Sequence, residues 1–534
     1  MAALSSARDD SGDLRSARNM YRVVTASDDN TACIWQFNTD TIQLISTLEG
    51  HTAGITSLDL ISGDSGLEKV LTTSMDSSAK VWGRLESGLK FGLLQSLPKP
   101  LVEQSDETVE DSERKPFLRY IKKKYHLGEA AMPERTQRKQ NFPGRKHSSA
   151  ISMGCFPPRA EGRSLGQVLP TSREAAPKSK ALSRGVSETG GGTQSGPLQV
   201  LTCGGDGTAL IWNAVSGQVM TVLHSPDVGH NAAVRMAQWS HETKNQFVLT
   251  CSNDTNCHLW DARTGDHKKQ FGSKEHGASA HDSHTGPIWS AYFSRDDAHV
   301  LTASRDNTVK LWDTDESLSG VCTWRCQKAE SMPKLVGAKF CDSPMFEGCF
   351  WCWSFDGQVA LIDPRAHAGA RVSLFDRSGA KVFMQEESGG KLSDTQITQV
   401  TKVTVPWANN CAHRSAVWDV QDAHKHEYWC LTCGHDGVAA IWDIRRDSTP
   451  VHLLVGHTGL LWEAKFSYDD HWVVTCSDDR TAKAFHLLHG GEFISGRTLC
   501  KPEEEPRPGK NENRTTHRLA VTKCAWDPVG PVSL

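Results

Sequence analysis

The chain has 534 residues, 59 Lys and Arg against 63 Asp and Glu, and a formal net charge of −4. That length allows about three ordinary domains or one large repeat array, and so even a charge balance excludes a protein that coats nucleic acid over its whole surface. No uncharged apolar run approaches the ~18 residues of a spanning helix, and 16 cysteines behind an N-terminus with no apolar signal core suggest a reducing, intracellular and most readily cytoplasmic setting.

Seventeen Trp against six Tyr is an unusual ratio, and internal repetition explains it. Residues 1–20 carry no periodic pattern and are expected to be a flexible N-terminus. From residue 21 the segment YRVVTAS reads as a strand, followed by a turn at Asp29 and a second strand ending near Trp35. The same unit returns down the chain, most clearly in HTGPIWSAYFSRDDAHVLTASRDNTVKLWDT from His284 to Thr314. Its turn Asp has eight copies: Asp29, Asp76, Asp206, Asp254, Asp306, Asp356, Asp436 and Asp479. Six residues after each lies Trp35, Trp82, Trp212, Trp260, Trp312 or Trp442, with Ile362 and Phe485 in the other two copies. Four residues before each lies Thr25, Thr72, Thr202, Thr250, Thr302, Thr432 or Thr475, with Cys352 as the exception.

A first strand repeats as well. His51, His147, His230, His284, His413, His457 and His517 each have Ile, Val or Leu four residues later. An eighth, degenerate copy has Ser331 in the His place, followed by Leu335 and Phe340.

At these residues the chain resembles the WD-repeat (Trp-Asp) β-propeller family, with GHTGLLWEAKFS at 456–467 and KLWD at 310–313 carrying the likeness best. The resemblance covers most of residues 20–530 apart from insertions and implies an all-β propeller, residues 21–528. The N-terminal copy lacks a first strand, and the C-terminus ends with an orphan one, HRLAVTKCAWDP at 517–528. Pairing the two closes a ring and removes exposed sheet edges. Eight second-and-third strand pairs and eight first strands predict eight blades, with the commoner seven as the alternative if the copy at 331–363 is not a full blade. Residues 529–534 are then a C-terminal tail.

The resemblance also implies structural tetrads in which a Trp indole donates to a Thr hydroxyl that bonds a His, which bonds the Asp. These are His51, Thr72, Asp76 and Trp82; His230, Thr250, Asp254 and Trp260; His284, Thr302, Asp306 and Trp312; and His413, Thr432, Asp436 and Trp442. Thr, His and Asp recur down the chain, whereas a catalytic triad occurs once beside an oxyanion hole, so no catalytic residue is expected. Cys203, Cys251, Cys433 and Cys476 stand three residues before their Asp, where small fillers such as Ala26 and Ala303 stand elsewhere. Cys349 and Cys352 form a CxxC inside a predicted strand with no second pair, which favours core packing over zinc. Phosphate-binding, zinc-protease and dinucleotide motifs are missing, so no metal or cofactor is expected.

Uneven spacing of the Asp copies locates insertions at 98–146, 158–197 and about 376–412. The first is expected on the top face and is polarised: 103–113 holds six acids and no base, and 114–146 holds eleven bases against Glu129 and Glu134. Phe117, Ile121 and Tyr125 at four-residue spacing beside Lys122, Lys123 and Lys124 fit a basic amphipathic helix for an acidic partner, membrane surface, nucleic acid or tubulin tail, against the plainer reading of a solvated, self-screening disordered loop. The second, containing GGGTQSG, reads as disordered on the bottom face; the third returns to the top.

The functional reading is a non-enzymatic scaffold that assembles other proteins through its faces. Fold alone does not name a function, so two further readings stand beside it. WDAR at Trp260–Arg263 and WDIR at Trp442–Arg445 match the WDxR pattern of WD-repeat substrate receptors for cullin-type ubiquitin ligases, with Arg263 and Arg445 as adaptor contacts. The third is a ciliary, cytoskeletal or ribonucleoprotein assembly factor that uses the basic insertion. On the top rim the candidate peptide-binding residues are Arg235, Trp289, Trp418 and Trp462, five after their His, and Arg305, Phe355 and His435, just before the turn Asp; three Trp, two Arg and a Phe have the composition of an interface hot spot.

Overall fold

The computed structural model describes residues 19–63, 66–85, 90–98, 146–158, 198–224, 228–241, 246–271, 283–314, 321–327, 335–355, 357, 359–364, 371–375, 383–386, 413, 415–445, 450–487, 496–499, 516–528 and 532–533. Most of each insertion, with the amphipathic segment at 117–125 and the residues Ser331 and Asp356, lies outside them.

Among the described residues the strands form eight antiparallel sheets, and the only helical element is a 3-10 turn at Pro344–Phe346. Each blade runs from an inner strand outwards. Blade 5 shows the pattern in Ile288–Phe293, His299–Ser304, Thr308–Asp313 and Val321–Gln327. Blade 1 is assembled from both ends of the chain: Asn19–Ser27, Ala32–Phe37 and Ile42–Leu48 are joined by the inner strand Val521–Trp526. There Val23 faces Trp526, Val24 faces Ala525 and Thr25 faces Cys524. The closure by the C-terminal strand is therefore a real β-ladder, and the ring has eight blades.

The turn between the second and third strands explains the regular Asp. In all eight blades the residue after it takes a positive φ: Asn30, Ser77, Gly207, Thr255, Asn307, Gly357, Gly437 and Arg480 lie between 67° and 86°. Ser77, Thr255 and Arg480 pay a steric cost there that Gly would not. The Asp carboxylate offsets it by accepting from the backbone two residues on, as Asp306 does from the Thr308 amide at 2.9 Å and the Thr308 hydroxyl. Blade 6 keeps this turn, through Gly357, although its tetrad is gone.

The core is distributed. Eight apolar clusters each draw on two neighbouring blades, so burial happens between sheets. Val24, Ile34 and Leu48 of blade 1 pack on Ile55, Val70 and Trp82 of blade 2. At the seam Trp35 and Phe37 meet Trp472, Val474, Val521 and Cys524. Strand alternation supplies this geometry: one face of each sheet packs forwards round the ring and the other backwards.

Carboxylates lock neighbouring blades on the opposite face. Asp470 of blade 8, fully buried, accepts from the backbone amides of His424, Lys425 and His426 in blade 7 at 2.8, 2.6 and 2.8 Å. Asp527 takes the Ser62 hydroxyl and the Leu67 amide of blade 2. Asp422 of blade 7 takes the Trp351 indole of blade 6 at 2.8 Å.

Two details depart from the sequence pattern. Inside the stretch read as one insertion at 376–412, Phe383–Glu386 pairs with the outer strand of blade 5 and gives it a fifth strand. At the seam, Asn19 and Met20 pair with Val532–Ser533, so the end of the chain read as a tail and the start read as flexible meet in a short ladder.

Candidate functional site

Seven blades carry the His–Thr–Asp set. In blade 5, His284 Nε2 lies 2.8 Å from the Thr302 hydroxyl and Nδ1 lies 2.9 Å from Asp306, while the Trp312 indole donates to Thr302 at 2.8 Å. The corresponding His–Thr and Trp–Thr distances are 2.9 and 2.9 Å for His51, Thr72 and Trp82, and 2.8 and 2.9 Å for His230, Thr250 and Trp260. For His413, Thr432 and Trp442 they are 2.7 and 2.8 Å. Asp76, Asp254 and Asp436 complete these sets on the Nδ1 side. His147, Thr202, Asp206 and Trp212 form another; His457 with Thr475 and Asp479 keeps the pattern with Phe485 in place of Trp. At the seam His517 reaches Thr25 and Asp29 across the two chain ends.

Burial alone would raise these carboxyls, but the imidazole, hydroxyl and backbone donors around them prevail. Asp206 is held at about 2, and Asp29, Asp76, Asp306 and Asp479 well below the usual range. The His, Thr and Trp polar atoms of such a set bond other members, and the Asp also takes donors outside it, such as the Thr308 amide and hydroxyl, which satisfies groups that burial would otherwise strand.

Blade 6 replaces the tetrad by apolar packing. Cys352 and Ile362 are buried, and Trp353 lies flat over Gly337, where a Cβ would come within 2.6 Å of the indole. Cys203, Cys251, Cys433 and Cys476 are free and buried, and Cys349 and Cys352 are buried as well. Burial pushes the Cys251 thiol up to about 12. Among the described residues no group of His, Cys, Asp or Glu is placed to hold a metal, and no helix is long and apolar enough to cross a membrane.

The rim on the face of the Asp turns is built by two backbone devices. The first is a β-bulge at the start of every inner strand. In blade 5, Ile288 pairs with Ser304 and Ser290 with Ala303, so Trp289 between them is left out of the ladder. The residue left out is Trp418 in blade 7, Trp462 in blade 8 and Arg235 in blade 4. It is Thr522, Thr56, Ser152 and Val336 in blades 1, 2, 3 and 6. A bulge re-aims its extra side chain: in blades 4, 5, 7 and 8 it is a half-buried Arg or Trp at the rim, whereas Val336 of blade 6 is buried in the core shared with blade 7. The second device pins the residue before the Asp in blades 1 to 5, 7 and 8. Its amide bonds a carbonyl two residues ahead of the bulge, as in Arg305 to Pro287 at 2.8 Å, His435 to Ala416 at 2.8 Å and Asp478 to Leu460 at 2.9 Å. Rim partners therefore stand side by side: Trp289 with Arg305, Trp418 with His435, Trp462 with Asp478, and Thr522 with Asp28.

The rim is strongly uneven. Blades 2 and 3 present Thr56, Ser152 and Gly205 beside Met75. Blades 6 to 8 present a continuous aromatic cluster. Trp418 lies 5.5 Å from Trp462, 4.9 Å from His435 and 5.8 Å from Phe355 between ring centroids, and His435 lies 5.6 Å from Trp462. Phe355 is 40% exposed, and both Trp are half-buried. On the other side Arg235 sits 5.3 Å over the Trp289 ring and donates to Asn253, and Arg305 is exposed. The offset that picks out Phe355 and His435 also picks out Asp28 and Asp478, whose acidic side chains carry no aromatic or basic hot-spot signal.

The two WDxR arginines, three blades apart, differ. Arg445 is tied to Asp443 through Nε at 3.0 Å and Nη2 at 2.8 Å and lies 4.3 Å over Tyr428. Arg263 is exposed, its backbone amide capped by Asp261.

Comparison with known proteins agrees with this architecture. The family model for the WD domain, G-beta repeat, matches residues 42–83, 218–261, 278–313, 407–443 and 448–486. Eukaryotic translation initiation factor 3 subunit I of Drosophila willistoni is 23% identical over 258 residues, 48% of this chain and 65% of that protein. WD repeat-containing protein 37 of Mus musculus is 25% identical over 253 residues, 47% of this chain and 39% of that protein. The chain thus spans less than two thirds of the length of these relatives. The crystal structure of the computationally designed Ika8 protein aligns with 88% of this chain and 97% of its own at 16% identity and a TM-score of 0.48. With five repeats matched and the unmatched ones supplying the remaining blades of a closed ring, the chain is a WD-repeat β-propeller.

Proposed function

We propose that this propeller is a non-enzymatic scaffold that holds partner proteins by a peptide segment laid across the rim of blades 6 to 8. The observation that carries the reading is the aromatic cluster of Phe355, Trp418, His435 and Trp462. It sits where blades 2 and 3 have Thr, Ser and Gly, and in a position the inner-strand bulges aim away from the sheet. Half-buried aromatic side chains on a rigid frame give large contact area at low entropic cost, the composition of an interface centre. The Thr, His and Asp sets that would be the raw material of catalysis are consumed in the tetrads, which supports a binding role. A relative named as a subunit of a translation initiation factor supports membership of a multiprotein assembly. The ligase-receptor reading rests on Arg263, since Arg445 is already engaged by Asp443 and Tyr428, and the basic-insertion reading concerns residues outside the described part of the chain.

Alanine at Trp418 or Trp462 tests the scaffold reading. Recovery of co-purifying partners from cells is compared with the melting temperature of the purified variant. A recognition residue loses roughly 2 kcal/mol or more of partner affinity while the fold holds. If both variants melt far below the parent, as for a core truncation costing about 3–5 kcal/mol, and the folded fraction binds unchanged, the rim is only packing and the reading fails.

A further inference from the structure

Next to the aromatic cluster the rim turns acidic. Asp478 is exposed and stands beside Trp462 on blade 8, and its amide is fixed to the Leu460 carbonyl. Asp28, on the next blade, is held in the same way by the Ala520 carbonyl at 3.1 Å. Neither carboxyl group has an ion-pair partner among the described residues, unlike Asp29, Asp76 or Asp443, which are all engaged. Burial, then the nearby charges of Asp478 and Asp29, hold the Asp28 carboxyl above its usual value. Two acids are thus kept close with no cation between them. His435 adds no positive charge near neutrality, because burial lowers its imidazole despite Asp478 and Asp436.

A half-buried aromatic surface edged by uncompensated carboxylates favours a cation: the ring faces offer negative quadrupole density and the carboxylates a full charge. The propeller uses this chemistry internally, as in Arg235 over Trp289 at 5.3 Å, Lys425 over Tyr468 at 4.4 Å and Arg445 over Tyr428 at 4.3 Å, the last with a carboxylate completing the contact. Among the described residues no cation lies over Trp418 or Trp462. On the far side Arg235 and Arg305 make the rim basic, so an acidic segment is repelled from one end of the cluster and a basic residue from the other.

We infer that the rim between blades 6 and 1 recognises a positively charged side chain, Arg or Lys, of a partner peptide, stacked on Trp418 and Trp462 with its charge against Asp478 and Asp28. The inference rests on the peptide-binding reading above and adds to it the sign and class of the residue bound. The peptide chain then runs with its cation towards blade 1 and any acidic residue towards Arg305, which gives the bound segment a direction.

The experiment uses the full chain and an oriented peptide library on a solid support, with one central position held as Arg, citrulline, Lys, acetyl-lysine or Glu. Citrulline and acetyl-lysine keep the shape and remove the charge. The expected result is retention of the protein on the Arg or Lys pools, with a roughly 3- to 30-fold preference over the neutral counterpart, the span of a cation–π contact from exposed to desolvated. Comparing the Arg and Lys pools tells which cation is preferred. Asp478→Asn should shrink that preference and its salt dependence without changing the melting temperature, and Trp462→Ala should remove retention. Equal retention on charged and neutral pools, lost in Trp462→Ala, overturns the cation and leaves the peptide site standing. A preference for the Glu pool overturns it in the same way. No retention on any pool, with partner recovery from cells indifferent to Trp418→Ala and Trp462→Ala, overturns both.

Discussion

Deleting residues 517–534 removes the inner strand of blade 1 and three sets of contacts that tie the ends of the ring together. Val521 and Cys524 are buried in the seam cluster with Trp35, Trp472 and Val474, and Trp526 packs within 5.7 Å of Phe37 and donates to the Lys465 carbonyl at 2.9 Å. Losing the burial that two buried side chains and a partly buried Trp share with the seam costs about 5 kcal/mol at roughly 1.5–3 kcal/mol each. His517 holds Thr25 and Asp29 inside the blade. Asp527, 4% exposed, holds Ser62, the Leu67 amide and Arg22. Breaking each of these buried networks costs on the order of 3–5 kcal/mol because the surviving partners stay stranded. The sum, above about 10 kcal/mol, is as large as the whole stability of many domains, and the deletion also bares the edge of the Asn19–Ser27 strand to other molecules. The expected outcome is an aggregating protein with no cooperative melt. Adding a synthetic peptide of residues 516–534 should restore soluble, cooperatively melting ring by strand addition. A deletion variant that stays monomeric and melts like the parent would show that the seam is not what closes the ring.

Two further predictions concern the polar locks. Asp470→Ala strands three backbone amides of the 424–426 segment, one of them on exposed Lys425 and so open to water. It also places Ala at a φ of 61°, so a loss of about 3–5 kcal/mol is expected. Asp470→Asn, which tolerates that φ and keeps an acceptor, should lose less; hydrogen exchange at 424–426 that is unchanged in Asp470→Ala would refute the clamp. Acid should unfold the ring through its tetrads: Asp206, about 2 in the fold against an ordinary 3.8, releases its proton more readily folded than unfolded. Its contribution, about 2 kcal/mol by linkage, is therefore full above the unfolded value and is lost as pH falls from about 4 through 2. Denaturation midpoints between those pH values should be flatter for Asp206→Asn than for the parent, and an unchanged slope would rule out this carboxylate as a contributor.

The tetrads were legible because their members sit at short, fixed offsets within one repeat: Thr four before the Asp, Trp six after it, His a strand away. Hairpin geometry turns such offsets into contacts whatever the rest of the chain does, so Thr302, Asp306 and Trp312 meet as their spacing demands. Blade 6 shows the same logic from the other side. It lost the tetrad but kept the positive φ at Gly357 and the alternation of its strands, and those were enough to keep it a blade. The closing strand was legible by bookkeeping, since a first strand without a partner and a blade without a first strand imply each other.

What the spacing did not contain is everything that passes between blades. Asp527 meets Ser62 from 465 residues away, and Asp422 meets Trp351 from 71; neither follows from a repeat offset, because each depends on how one sheet is rotated against the next. The bulge opening every inner strand is likewise invisible in a period-two pattern, yet it aims Trp289, Trp418 and Trp462 at the rim. Sequence alone determined that a closed ring of blades would form, with eight favoured over seven, and which residues would hold each blade together, because those are local consequences of hairpin geometry. Only the closed ring decided that Phe355, Trp418, His435 and Trp462 share one surface with Asp478 and Asp28 on its edge, because neighbours around a propeller are brought together by inter-blade packing, which no single repeat encodes.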